Sequence, residues 1–200
     1  MDYDYYNNLS LDELQQILET IDKEKHPERV ELIKQVITDK GEDPEAYAEL
    51  RGIGGWLILP LIGLVITACF HFYFIVTEIY PVFSDGTIFA LFDTQSDICN
   101  PVFGIFILFE SAATILMFWL AIIILYMGFK ESKKFVLLLI VFYICSFLIS
   151  AIYYMTTSYF EVIESVEREL LIDLLRSIIV AAIWIPYLLV SERVKNTFIY

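Results

Sequence analysis

The chain reads as an all-α, four-transmembrane-helix integral membrane bundle with a short cytoplasmic N-terminal helical arm. Three observations predict this. Four apolar stretches, about 56–79, 101–127, 135–154 and 170–190, each reach the ~20 residues a helix needs to cross ~30 Å of hydrocarbon. Hydrophobic residues make up 58% of the 200-residue chain, in blocks too long for a soluble domain of this size. The first fifty residues are instead acidic, polar and patterned as helix. The expected division is an arm and linker over 1–51 and a membrane domain over 52–200.

Within the arm, Ser10 and Glu13 form a capping-box pattern, and Leu11, Leu14, Leu18 and Ile21 then fall on one helical face. Pro27 suits the first turn of a second helix, whose stripe is Val30, Ile33 and Ile37 and whose stop is Gly41. His26 is read as a surface or capping residue. Two helices this short bury too little to be stable alone, so the arm is expected to dock on the spans, on a second copy or on another protein. Its excess of acidic side chains makes anionic lipid a poor target. Gly41 to Arg51 reads as a polar linker.

The spans follow from the bilayer itself. With no water in hydrocarbon, each apolar segment must pair its own backbone groups, and only a helix does so within one segment. Pro60 and Pro186 are expected to kink their spans, and Gly52, Gly54 and Gly55 to permit a close approach at the entry of the first. Orientation follows from basic residues. Arg51, Lys130, Lys133, Lys134, Arg193 and Lys195 lie on one side, and the other carries Arg168, with no Lys or Arg from Pro81 to Asp97. The rule that basic loops stay inside puts both termini of this multi-pass chain in the cytoplasm, with two loops outside. No secretory signal peptide is visible, so the first span is expected to direct insertion.

The outer loops are acidic, with Asp85, Asp93 and Asp97 in one and Glu161, Glu164, Glu167 and Glu169 in the other. They lack calcium-loop spacing and read as solvated faces, with Glu164 and Arg168 as an i,i+4 pair. Ile88, Phe89, Leu91 and Phe92 suit a segment lying flat on the membrane surface. Cys69, Cys99 and Cys145 sit at unmatched depths and read as free thiols. No metal site and no cofactor is expected.

Ionisable residues inside the spans carry the functional question. At 1.5 Å per residue, His71 lies ~13 Å below the outer end of the first span, Glu110 ~13 Å into the second, and Arg176 ~9 Å into the fourth. All three therefore fall in the outer half of the bilayer. They stand on polar stripes: Gly63, Thr67, His71 and Glu78; Glu110 and Thr114; Ser146, Ser150, Tyr153 or Tyr154, and Thr157; Glu169, Asp173 and Arg176. Charges in hydrocarbon are costly and usually pair. Three arrangements stay open. The cluster of His71, Glu110, Arg176 and Asp173 lines a crevice that binds something; or Glu110 and Arg176 form a structural staple, the preferred pair, while His71 caps a carbonyl; or Arg176 pairs with Asp173 and leaves Glu110 protonated.

Two stretches carry a resemblance: Gly52-Ile-Gly-Gly-Trp-Leu-Ile-Leu-Pro-Leu-Ile-Gly63, and Ile183-Trp-Ile-Pro-Tyr-Leu-Leu-Val-Ser-Glu-Arg-Val-Lys-Asn-Thr-Phe198. Together they resemble the bacterial four-span proteins grouped as the domain of unknown function 2569, over about Gly52 to Phe198. Ile21 to Arg29 resembles a cytoplasmic segment that precedes assorted bacterial membrane domains. The resemblance implies an inner-membrane protein of four spans and supplies no activity. Ser191, Arg193, Lys195 and Asn196 read as an anchor at a span end.

No HExxH, GxSxG or comparable pattern is present, so a non-enzyme is expected. The leading expectation is an accessory or scaffold protein whose arm docks a protein partner or a second copy. The alternative is a small oligomeric transporter or channel subunit using the outer-leaflet Glu/Arg/His cluster. With a net charge of −13, nucleic acid is not an expected partner, and the lipid bilayer is.

Overall fold

The computed structural model describes residues 3–41, 52–156 and 164–198, and these are helical with no strand among them. The linker 42–51, with Arg51, and Thr157 and Glu161 lie outside the described residues, as does the side chain of Glu164.

The arm holds three helices, α1 (Tyr3–Asn7), α2 (Leu11–Thr20) and α3 (Pro27–Asp39). Ser10 and Glu13 cap α2 reciprocally, the Glu13 N–H donating to Ser10 Oγ and the Ser10 N–H to Glu13 Oε2 at 2.8 Å. Pro27 opens α3, and His26 stands at its N-cap without a side-chain cap bond. Gly41 follows the end of α3 at φ +86°, a conformation open to glycine at little cost. The short α1 is legible in no apolar periodicity, yet its Tyr6 is buried against α2 and α3. Its ends are fixed by the Tyr3 hydroxyl donating to Asp39 (2.6 Å) and Lys40 Nζ donating to the Asn7 carbonyl (2.9 Å).

The apolar stripes of the arm meet one another. Leu14, Ile33 and Val36 are wholly buried, and Ile37, Leu18 and Tyr6 complete a separate small core. To the two helices expected from sequence the structure adds α1, whose Tyr6 forms a third wall of this core.

The Ser10 bonds hold the Glu13 carboxyl below its ordinary value of 4.5. A group bound more tightly as the anion contributes above that value and loses its contribution as pH falls through the folded-state value. Acidification below about pH 4.5 should therefore fray the first turn of α2; Ser10→Ala, which keeps the backbone bond, should weaken that pH dependence and Glu13→Gln should abolish it. Amide exchange of α2 across the acid range checks both.

Four helices are long and apolar enough to cross a membrane. The first, α4 (Gly55–Ser84), opens with a 3-10 turn at Gly55–Leu57 and runs past the expected end at Ile79. It continues because residues Ile75–Ile79 adopt a π register, the Tyr80 N–H reaching back to the Ile75 carbonyl. The wider turn admits Pro81, which has no N–H to donate, near the start of the last stretch, Tyr80–Ser84. Between spans, the short α5 (Thr87–Ala90) turns Ile88 and, just beyond it, Leu91 inward and leaves Phe89 exposed, so only part of the expected surface segment faces outward.

The second span, α6 (Pro101–Phe129), is capped by Asn100, which accepts from the Phe103 N–H. It ends in a tight turn with Glu131 at φ +51°, the Glu131 N–H bonding Gly128 and the Ser132 N–H bonding Met127. The third and fourth spans are α7 (Lys134–Thr156) and α8 (Glu164–Val190), and α9 (Glu192–Thr197) follows.

Lipid tails are as apolar as leucine, so these spans associate through packing rather than hydrophobicity. Small buried residues on α6, namely Ser111, Ala113, Ala121 and Gly128, allow the backbones to approach. Neighbours run in chain order: α4 packs along α6, α6 along α7, and α7 along α8. The core, with Leu57, Leu61, Ile124, Phe135, Leu139 and Leu188, lies toward the terminal end of the bundle, where α4 begins and α8 ends. That end is closed by α9, where Val194, Thr197 and Phe198 are buried and Phe198 stacks on Phe135 at 4.2 Å. Thr197 Oγ1 lies 3.2 Å from the Gly52 carbonyl, and a Cβ on Gly54 would meet Arg193 at 2.9 Å. The segment read as an anchor is therefore also a packed clasp joining the start of α4 to the end of α8.

Candidate functional site

Toward the opposite end the four spans separate around a cavity of about 310 Å³. Each contributes polar groups at helical spacing, which puts them on one face. From α4 come Thr67 and His71, from α6 Thr114, from α7 Tyr143, Ser146, Ser150 and Tyr153, and from α8 Asp173, Arg176 and Ser177.

His71 Nδ1 lies 2.8 Å from the Thr67 carbonyl. A carbonyl oxygen only accepts, so Nδ1 carries the proton and Nε2 is the atom left for a ligand. Thr67 donates its own hydroxyl to the Gly63 carbonyl, and Ser177 donates to the Leu174 carbonyl. These hydroxyls are satisfied within their helices. Those of α7 differ: Tyr143, Ser146 and Ser150 have no hydrogen-bond partner among the described residues. Tyr143 is only 8% exposed, so its hydroxyl has no solvent route except the cavities it lines.

Arg176 Nη1 donates to Asp173 Oδ1 at 2.8 Å, one turn away on α8. The expected cross-helix staple between Glu110 and Arg176 is thus replaced by a local pair. The reason is topological: α6 and α8 flank α7 from either side, whereas Asp173 is three residues from Arg176. His71 has the carbonyl-capping bond that accompanied the staple reading. Glu110 stands apart from the cavity lining, half-buried, within electrostatic reach of Glu78 and the Tyr153 phenol. Tyr153 is held edge-on by Phe106 and Phe109 at 5.7 and 6.4 Å. Of the four residues expected to cluster, the structure brings His71, Asp173 and Arg176 to one cavity and places Glu110 beside it.

A second, smaller cleft of about 140 Å³ adjoins the first on the side of the clasp and shares Thr67, Phe142, Tyr143 and Val180 with it. Leu59, Pro60, Leu64 and Trp184 make it apolar. Tyr143, at the junction of the two, was not singled out from the sequence. The signal was present: it lies three residues before Ser146 and seven before Ser150, extending their stripe by one turn.

Neither a curated protein nor a solved structure matches the chain. A family model described as protein of unknown function (DUF2569) matches residues 50–199. The match takes in all four spans, both cavities and both halves of the terminal clasp, and the chain belongs to this DUF2569 family.

Proposed function

We propose that the protein is a non-enzymatic component of the bacterial inner membrane, with both termini cytoplasmic, that binds a small polar group inside the bilayer as a transporter or carrier subunit. The polar cavity between the four spans carries this reading. At about 310 Å³ it stands at the lower end of ligand-sized pockets. A purely structural polar cluster closes its own hydrogen bonds, whereas Tyr143, Ser146 and Ser150 turn unsatisfied hydroxyls to a shared space. The orientation is supported by Lys130, Lys133, Lys134, Arg193 and Lys195 lying at the clasp end, opposite Asp85, Asp93 and Asp97.

The test is cysteine accessibility in a background with Cys69, Cys99 and Cys145 replaced. Ser150→Cys, on the cavity, should react with a membrane-impermeant maleimide added outside the cell faster than Leu148→Cys, on the lipid face of the same helix. Equal rates would overturn the reading. Equal reaction only from the cytoplasmic side would reverse the orientation.

The arm favours a second reading, in which the protein recruits a partner to the membrane. A helical module with its own core, as Leu14, Ile33 and Val36 give it, is a preformed docking unit with its polar surface free. Deleting residues 1–41 should then release the partner and leave the Ser150→Cys reaction unchanged.

A further inference from the structure

We infer that the ligand of the intramembrane cavity is a phospholipid, its phosphate held by Arg176 and the hydroxyls of Tyr143, Ser146 and Ser150 and one acyl chain laid in the apolar cleft beside Gly63 and Trp184. The inference rests on the proposed binding role of the cavity and names its ligand class.

The head is argued from donors and acceptors. Tyr143, Ser146 and Ser150 offer three hydroxyls without a partner among the described residues. Arg176 spends one N–H on Asp173, and a guanidinium has five. Asp173, the carboxylate in the lining, is already engaged by that arginine. Hydroxyls donate as well as accept, so the sign of the ligand is set by the cation: Arg176 keeps N–H groups to spare beside three hydroxyl donors, which suits a group of several acceptor oxygens bearing negative charge. A cationic head would be repelled by the Arg176 guanidinium.

The tail is argued from the second cleft. The polar cavity shares Thr67, Phe142, Tyr143 and Val180 with an adjoining slot lined by Leu59, Pro60, Leu64 and Trp184. His71 and Leu59 are twelve residues apart on α4, so the combined groove spans about 18 Å, slightly more than half of a ~30 Å hydrocarbon core. That is the length of one lipid leaflet. A free phosphate or a soluble sugar leaves this slot unused. Gly63 lines it, and a Cβ built there meets nothing within 4 Å. The groove lies between α4 and α8, which pack on α6 and α7 respectively, so a chain enters sideways from the bilayer.

The full-length protein, purified in detergent, is titrated with a 16-carbon lysophosphatidylglycerol and read by native mass spectrometry. The wild type should bind one copy. Arg176→Ala removes a charge-assisted contact and should weaken binding about tenfold or more. Gly63→Leu, whose Cβ has open space, projects its side chain into the slot and should weaken binding by a similar factor while the thermal midpoint stays unchanged. Glycerol phosphate, the head alone, should not compete at a large excess. Wild-type binding by Gly63→Leu, or a wild-type protein that binds no lysolipid, overturns the inference. Competition by glycerol phosphate also overturns it but leaves the polar-ligand role standing, whereas an unreactive Ser150→Cys removes that role itself.

Discussion

Replacing Ile33 by aspartate unfolds the N-terminal arm and leaves the four spans intact. Ile33 has no exposed surface and packs with Leu14, Val36 and Ile37. An unpaired carboxylate there loses its hydration without gaining a partner, a cost of several kcal/mol. A core built from three short helices rarely supplies more than about 3–5 kcal/mol in total. The charge therefore exceeds the available stability, and α1, α2 and α3 lose their structure together. Hydrogen exchange should show the amides of 3–41 exchanging as in an unfolded chain, with α6 and α7 protected as before. Retained protection in α3 would mean that the arm draws its stability from elsewhere. The same result governs how docking is studied: charged substitutions at Leu14 or Ile33 destroy the module rather than its outer surface, so partner binding has to be probed at exposed positions such as Tyr5.

The parts of this structure that were legible in the sequence are those fixed by one helix at a time. Hydrocarbon leaves a backbone so few options that Pro101, Lys134 and Val190 mark the span ends closely. Depth is equally a single-helix property, which is why His71, Glu110 and Arg176 could be placed in the same half of the bilayer from sequence. Azimuth is not. Whether Arg176 faces Glu110 depends on which spans are neighbours, and with α7 between α6 and α8 the nearer carboxylate is Asp173. Tyr143 was missed for the same reason, since an aromatic in an apolar run shows its hydroxyl's direction only once the cavity is closed around it. The end of α4 was misjudged through Pro81, which stops an α-helix but fits the π register at Ile75–Ile79. In α1, Tyr6 is buried in a core built mainly from α2 and α3, so no apolar pattern within its own five residues announces it.

Phe135→Ala should open the terminal end of the bundle. Its ring is fully buried, stacks on Phe198 at 4.2 Å with 23° between planes, and lies where a Cβ on Gly128 would come within 2.9 Å. Truncating a buried phenylalanine costs about 3–5 kcal/mol through lost contacts and the cavity left behind. Here the loss is concentrated at one joint. Without the ring, Phe198 has no platform, and α9 is held by Val194 and by the contact of Thr197 with the Gly52 carbonyl. The expected results are a lower thermal midpoint in detergent and rapid amide exchange over 192–198, with Leu148→Ala on the lipid face changing neither. Protection of α9 in Phe135→Ala would place the clasp's stability in Arg193 against Gly54 and Gly55 instead. Either outcome bears on why Gly52–Gly63 and Ile183–Phe198 carry the family likeness: residues 52–55 and 193–198 form the two sides of this joint, about 145 positions apart in sequence, so a change on one side strands its partner on the other. On this account the clasp sets the splay of α4 and α8, and through it the width of the groove whose far end holds Arg176 and Tyr143.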